Sequence, residues 1–280
     1  MISFPCAKIN LGLNIIGERS NGYHDLETVF YPIYSLHDTL EIKYMGEDFP
    51  SDTDCDLKIT GNVIECNEQD NLVVKAYNLL ASDFELPRVH AHLYKKIPSQ
   101  AGLGGGSSDA AYMIKLLDER FRLNIGYAEM ERYAAKLGAD CAFFITSELS
   151  YATGLGDIIS PVDGPKGNLN GYYIVIIKPD ISISTKEAYQ SIVPQKPLKC
   201  CKDIIRQPIE TWKEALHNDF EIPIFKAHEE LAAIKQTLYD LGAIYAQMSG
   251  SGSAIFGIFR IVPNGLEEQF PNTFIFSSKL

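Results

Sequence analysis

No CxxC or CxxH spacing occurs among the six cysteines, at positions 6, 55, 66, 141, 200 and 201. That removes the usual zinc-site and secreted-disulfide arrangements and leaves six reduced thiols. Long apolar runs are missing too: the longest, residues 172–177, is far too short to cross a bilayer. The first six residues, Met1 to Cys6, carry neither a basic stretch nor an apolar one, so no leader is expected and a cytoplasmic location is. Basic residues are in deficit, 25 Lys and Arg against 36 Asp and Glu, for a net charge of −11. Such a surface repels nucleic acid and anionic lipid, and neither is expected as a partner. A small anionic ligand is not excluded, because backbone amides and a few cations suffice to hold one.

What is present is a globular composition. Of 280 residues, 46% are hydrophobic and 22% charged, enough to bury a core and long enough for two unequal domains. Residues 160–168 pack Pro161, Gly164, Pro165 and Gly167 into nine positions, which places the expected boundary near 160, between domains 1–160 and 161–280. Hydrophobic period and punctuation predict strands over 9–16, 39–43, 89–94, 173–178 and 254–261. They predict helices over 71–81, 107–120, 128–137, 186–192 and 227–241. The mixture runs through both halves.

The strongest chemical signal is the stretch from Lys95 to Ala111. It holds Pro98, Ala101, Gly102, Leu103, Gly104, Gly105, Gly106, Ser107 and Ser108 between a predicted strand and a predicted helix. Its glycines let the backbone turn and come close to a ligand. Ser107 and Ser108 are expected to cap the helix, with Ala110, Ile114 and Leu117 on its buried side. The free amides of a first helical turn make an anion site. No lysine follows Gly106, so this is not a Walker A loop, and position 107 is Ser, so it is not GxGxxG. A helix terminus contributes about 0.3–2 kcal/mol to an anion, whereas enzymes lower barriers by roughly 8 kcal/mol or more. Transfer therefore needs further groups: a cation and a carboxylate base.

Lys8 and Asp140 offer them, and two further places offer contacts to a ligand. Strand alternation puts Lys8, Asn10, Gly12 and Asn14 on one face; a solvent-facing strand side is the alternative. Asp140 follows a predicted helix end at Gly138 and precedes the apolar residues 141–145, as a base or as a turn aspartate. Residues 249–253, Ser-Gly-Ser-Gly-Ser, are either a hairpin turn or a second close backbone approach to phosphate. Tyr23 and His24, after the turn 19–22, offer a stacking surface and an edge hydrogen-bonder.

These residues together resemble the superfamily of galactose, homoserine, mevalonate and phosphomevalonate kinases. The blocks that carry the likeness are residues 7–11, 19–28 around Gly22-Tyr23-His24, 70–72, 98–111, 137–140, 154–157, 218–221 and 248–253. The Gly-Tyr-His block and Asn218-Asp219-Phe220-Glu221 resemble the branch acting on a cytidine diphosphate conjugate of methylerythritol. The resemblance implies an α+β fold of two domains, an S5-like N-terminal unit that binds ATP and a ferredoxin-like C-terminal unit on the substrate side. It implies ATP-dependent phosphorylation of a tertiary hydroxyl on that conjugate, in the non-mevalonate route to isoprenoid precursors, by a monomer or weak homodimer using Mg2+.

By the same resemblance Asp140 is the base and Lys8 its cationic neighbour. The 98–108 loop wraps the ATP phosphates, with Asn71 and Lys95 towards adenine. Asn10, Tyr23, His24, Thr185, Tyr189, Gly250, Ser251 and Gly252 serve the substrate, with Tyr23 and Tyr189 clamping cytosine and His24 reading its edge. No metal ligand can be assigned. A sister kinase for mevalonate, homoserine or a sugar would keep both glycine motifs but has no reason to keep Gly-Tyr-His. A non-catalytic sensor on the same fold would have no need of Lys8 and Asp140.

Overall fold

The computed structural model describes residues 1–46, 48–62, 67–162, 169–189 and 192–280. By packing, the chain divides into two units that interleave in sequence. The first comprises Met1–Ala7, Pro32–Ser99 and Gly104–Glu148; the second comprises Lys8–Tyr31, Gln100–Leu103 and Leu149–Leu280. Residues 163–168, most of the stretch expected to join two domains, lie outside the described residues.

The first unit is built on a four-stranded sheet of β1 (Ile2–Ser3), β4 (Thr39–Tyr44), β5 (Cys55–Gly61) and β6 (Val89–Lys95), ordered β1-β4-β6-β5. β4 runs antiparallel to β1 and β6, and β5 runs parallel to β6. Helices Leu72–Ala81, Gly105–Phe121 and Tyr127–Leu137 complete this unit. The first begins where Asn71 accepts the Val73 N–H at 2.9 Å, and it buries Val73, Val74, Ala76, Tyr77 and Leu80 at the three- and four-residue spacing of one face. Helix Gly105–Phe121 buries Ala110, Ile114 and Leu117, the stripe expected of it.

The second unit holds two sheets. One, ordered β2-β3-β7-β8, contains β2 (Cys6–Glu18), β3 (His24–His37), β7 (Ser150–Thr153) and β8 (Ile158–Pro161); the start of β2 and the end of β3 count with the first unit. The other, antiparallel throughout, is ordered β10-β11-β9-β12 from β9 (Tyr173–Lys178), β10 (Tyr245–Met248), β11 (Ile255–Phe259) and β12 (Phe274–Lys279). Val175, Ile177, Ala246, Met248 and Ile255 of that sheet share a core with Phe220, Ile224, Leu231 and Leu238.

Several expectations change. Helix Gly105–Phe121 begins two residues before the predicted start and is entered through Gly104 in the left-handed region at φ 72°, with no side-chain cap. Ser107 and Ser108 therefore sit inside the first turn instead of capping it. The helix expected over 227–241 forms as Glu229–Asp240, and a further helix, Glu221–Ala227, precedes it and ends at His228. The segment predicted helical over 186–192 forms Thr185–Tyr189, and residues 190–191 lie outside the described set.

Candidate active site

In the first unit the amides of Gly105, Gly106 and Ser107 open a seventeen-residue helix. Helix geometry gives them no intrahelical acceptor, and no side chain caps them, so they are available to an anion. The Cys141 thiol is pushed up to about 12, chiefly by burial, with nearby Asp140 adding to the rise and Ser107 opposing it. The turn Ala139–Cys141, which carries the half-buried Asp140, packs against the glycine-loop helix Gly105–Phe121. The carboxylate and the anion site thus share one framework.

Beneath the same helix start lies a buried ionic triad. The Lys95 ammonium is paired with Asp38 and stands 2.6 Å from Asp109; Lys95 is 4% exposed, Asp38 0% and Asp109 2%. Asp38 also accepts the backbone N–H groups of Lys96 and Ile97, at 2.6 and 2.8 Å. Burial pulls the Lys95 pKa down, but Asp109 and Asp38 outweigh it and the net shift is upward. Burial, joined by the like charge of Asp38, raises Asp109 to about 7 against the pull of Lys95. Lys95 Nζ would lie 3.3 Å from a Cβ at Gly105, and Ile97 Cγ2 3.0 Å. The lysine expected near the nucleotide is thus engaged by two carboxylates under the loop. Asn71 serves as the helix cap described above, and Pro98, half-buried, precedes the turn that begins at Ser99.

In the second unit Lys8 and Asn10 are each only 2% exposed, so the solvent-facing alternative for this strand falls. Lys8 Nζ donates to Asn10 Oδ1 at 2.7 Å and lies 5.1 Å from the centroid of the Phe30 ring. Asn10 Nδ2 donates to Thr28 Oγ1 at 2.9 Å, and Thr28 in turn donates to the Gly12 carbonyl. The backbone N–H of Lys8 donates to the Leu103 carbonyl at 2.9 Å. Residues 100–103 and 249–254 are laced together: Ser253 and Ala254 N–H donate to the Gln100 and Ala101 carbonyls. Ser249 Oγ donates to the Gly102 carbonyl at 2.9 Å and accepts the Asn10 N–H at 3.3 Å. Gly102, at φ +71°, could carry no side chain: a Cβ would lie 1.9 Å from the Ser249 carbonyl oxygen.

Gly250, Ser251 and Gly252 form the turn between β10 and β11; a Cβ on Gly250 would lie 3.3 Å from Asn10 Oδ1. The ring facing Tyr189 is His24, stacked with centroids 4.9 Å apart and planes at 24°. Tyr23 is 61% exposed. Neighbouring residues entering a strand point to opposite faces, and only one of this pair can turn inward. The Thr185 side chain lies outside the described residues. Sequence reasoning gave no role to Asp38 or Thr28, which act through partners distant in the chain, so no local pattern marks them.

Comparison with known proteins identifies the family. The profile of the GHMP kinases N terminal domain matches residues 71–148, and that of the GHMP kinases C terminal domain matches residues 201–273. A 4-diphosphocytidyl-2-C-methyl-D-erythritol kinase of Bacteroides fragilis is 49% identical over 280 residues, covering all of both chains. One of Bacteroides thetaiotaomicron is 50% identical over 283 residues, again covering both chains completely. A crystal structure of 4-(cytidine 5'-diphospho)-2C-methyl-D-erythritol kinase superposes with a TM-score of 0.78 at 27% identity, covering 99% of this chain and 98% of that one. The chain belongs to the GHMP kinases, with their two-domain α+β fold, and within them to the 4-diphosphocytidyl-2-C-methyl-D-erythritol kinase family.

Proposed function

We propose that this chain phosphorylates the 2-hydroxyl of 4-diphosphocytidyl-2-C-methyl-D-erythritol, with ATP as donor and ADP as the second product, in the formation of isoprenoid precursors. It is an ATP-dependent small-molecule kinase. The observation that carries the chemistry is the packing of the Asp140 turn, Ala139–Cys141, against the helix Gly105–Phe121, whose first amides receive the phosphates. Those amides and the residues from Pro98 to Ser108 take the triphosphate, with Asn71 and Lys95 on the nucleotide side. Asp140 accepts the proton of the acceptor hydroxyl as its oxygen attacks the γ-phosphorus. Lys8, steadied by Asn10 and Phe30, offsets the negative charge that develops on the transferring group.

Asn10 and the 250–252 turn hold the acceptor's diphosphate and polyol. His24, Tyr189 and Tyr23 take the cytosine, with Thr185 beside them. The division near residue 160 into an ATP-binding part and a substrate-side part is supported by the two family profiles, which fall on either side of it. Mg2+ fits this chemistry as a passenger of the nucleotide. Among the described residues no three His, Cys, Asp or Glu side chains gather as a metal cage, and Mg2+ coordinated by phosphate oxygens and water needs few protein ligands. The buried Ser108 Oγ, with no hydrogen-bond partner among the described residues, is an oxygen suited to it. When bound, the ion neutralises charge on the phosphate oxygens.

The test is ADP release from ATP and Mg2+ with four acceptors: the cytidine diphosphate conjugate, mevalonate, homoserine and galactose. Turnover with the conjugate alone is expected. Preferential turnover of any other acceptor overturns the assignment.

A further inference from the structure

We infer that the four residues Asn218, Asp219, Phe220 and Glu221 are the positioning device of the second unit, each side chain fixing one part of the surface read above as the acceptor's. The inference rests on that reading of the 249–253 turn and of the His24–Tyr189 stack.

The turn contains Gly250 and Gly252 at φ +55° and +91°. A turn of this composition has much freedom to lose on ordering, so its shape must be imposed by its neighbours. Asn218, 2% exposed, imposes it: the amide nitrogen donates to the carbonyls of Met248 and of Gly250, both at 2.8 Å. Its own oxygen accepts the Phe220 N–H at 3.0 Å. Glu221 fixes the approach to the turn, one carboxylate oxygen accepting the Met248 N–H at 2.8 Å while the other takes Lys235 at 2.6 Å.

Asp219 holds the strand that carries Lys8 and Asn10. Its carboxylate accepts the Ile15 N–H at 2.7 Å, and its backbone N–H donates to the Leu13 carbonyl at 2.9 Å. Phe220 sets its ring edge against Tyr189, with centroids 4.9 Å apart and planes at 88°, and Tyr189 is the ring stacked on His24. Four consecutive residues thus reach the glycine turn, β2 and the aromatic stack. Preorganisation of this kind lowers the cost of binding and acts on affinity before chemistry.

Kinetics and hydrogen exchange on three proteins test this: wild type, Phe220→Leu and Asn218→Asp. Phe220→Leu keeps an apolar core and removes the ring edge. It is expected to raise KM for the cytidine diphosphate conjugate about three- to tenfold, leaving kcat and the KM for ATP within about twofold. Asn218→Asp keeps the size but turns a donor amide into a carboxylate facing two carbonyls. It is expected to lower kcat/KM for the conjugate about a hundredfold and to speed amide exchange in the 249–253 peptide at least about tenfold over β9. A fall in melting temperature with both KM values unchanged, or equal rises in both, overturns the inference. So does unchanged exchange in the turn. Should Asn218→Asp fail to fold, Phe220→Leu decides alone. If wild type releases no ADP with the conjugate, the functional reading fails, while the exchange experiment still tests the positioning role.

Discussion

Lys95 Nζ stands 2.6 Å from Asp109 while also paired with Asp38, and none of the three side chains is more than 3% exposed. Two buried carboxylates share one ammonium, so the arrangement holds only while the cation is present. Removing one partner of a buried pair typically costs about 3–5 kcal/mol because a buried charge is left uncompensated. Lys95→Met should therefore destabilise the protein by about that amount in urea denaturation. Adding Asp38→Asn and Asp109→Asn to it should return much of the loss. A single variant within about 1 kcal/mol of wild type would show that the triad is not a brace.

Gly102 and Gly106 should separate by substitution with alanine. At Gly102 the positive φ and the 1.9 Å approach to the Ser249 carbonyl make Gly102→Ala both unstable and inactive, with backbone strain alone costing about 1–3 kcal/mol. At Gly106 a Cβ would meet, among the described residues, only Leu72, at 3.8 Å. Gly106→Ala should melt at or above the wild-type temperature and raise the KM for ATP, because the added methyl intrudes on the phosphates and not on the fold. Calorimetry and ATP titration of the two variants check this together. An unchanged KM in Gly106→Ala would remove that amide from the nucleotide site.

The aromatic stack gives a third expectation. His24→Ala leaves a base edge unmatched and uncovers Tyr189, and an unsatisfied polar edge costs about 1–3 kcal/mol. KM for the cytidine diphosphate conjugate should rise by about one to two orders of magnitude, with the KM for ATP little changed. Equal rises for both would place His24 elsewhere in the mechanism.

The legible parts of the sequence were those whose signal is local. Thr39–Tyr44, Val89–Lys95 and Tyr173–Lys178 are strands within a residue of expectation, since period-two or continuous β-branched runs ended at clear punctuation. β5 (Cys55–Gly61) was missed although Cys55 and Leu57 alternate with exposed Lys58 and half-buried Asp56; the Ser- and Asp-rich approach to it reads as loop. β3 (His24–His37) was missed because Pro32 and Ser35 interrupt its pattern and both of its faces are partly buried. The helix Glu221–Ala227 was missed because Pro223 within it reads as a breaker, although a proline in the first turn loses no hydrogen bond. The glycine loop was legible as an anion site because its glycines and helix start are contiguous. The Asp38–Lys95–Asp109 triad was not, because its members lie 57 and 14 residues apart and only folding brings them together.

Asp140 as the proton acceptor is the central claim, and Asp140→Asn tests it most directly. Asparagine keeps the size and the turn, and removes only the basic oxygen. ADP release with the cytidine diphosphate conjugate should fall by at least about a hundredfold, with the affinity for ATP, measured by titration calorimetry, within a few-fold of wild type. Turnover by Asp140→Asn at the wild-type rate would contradict the account.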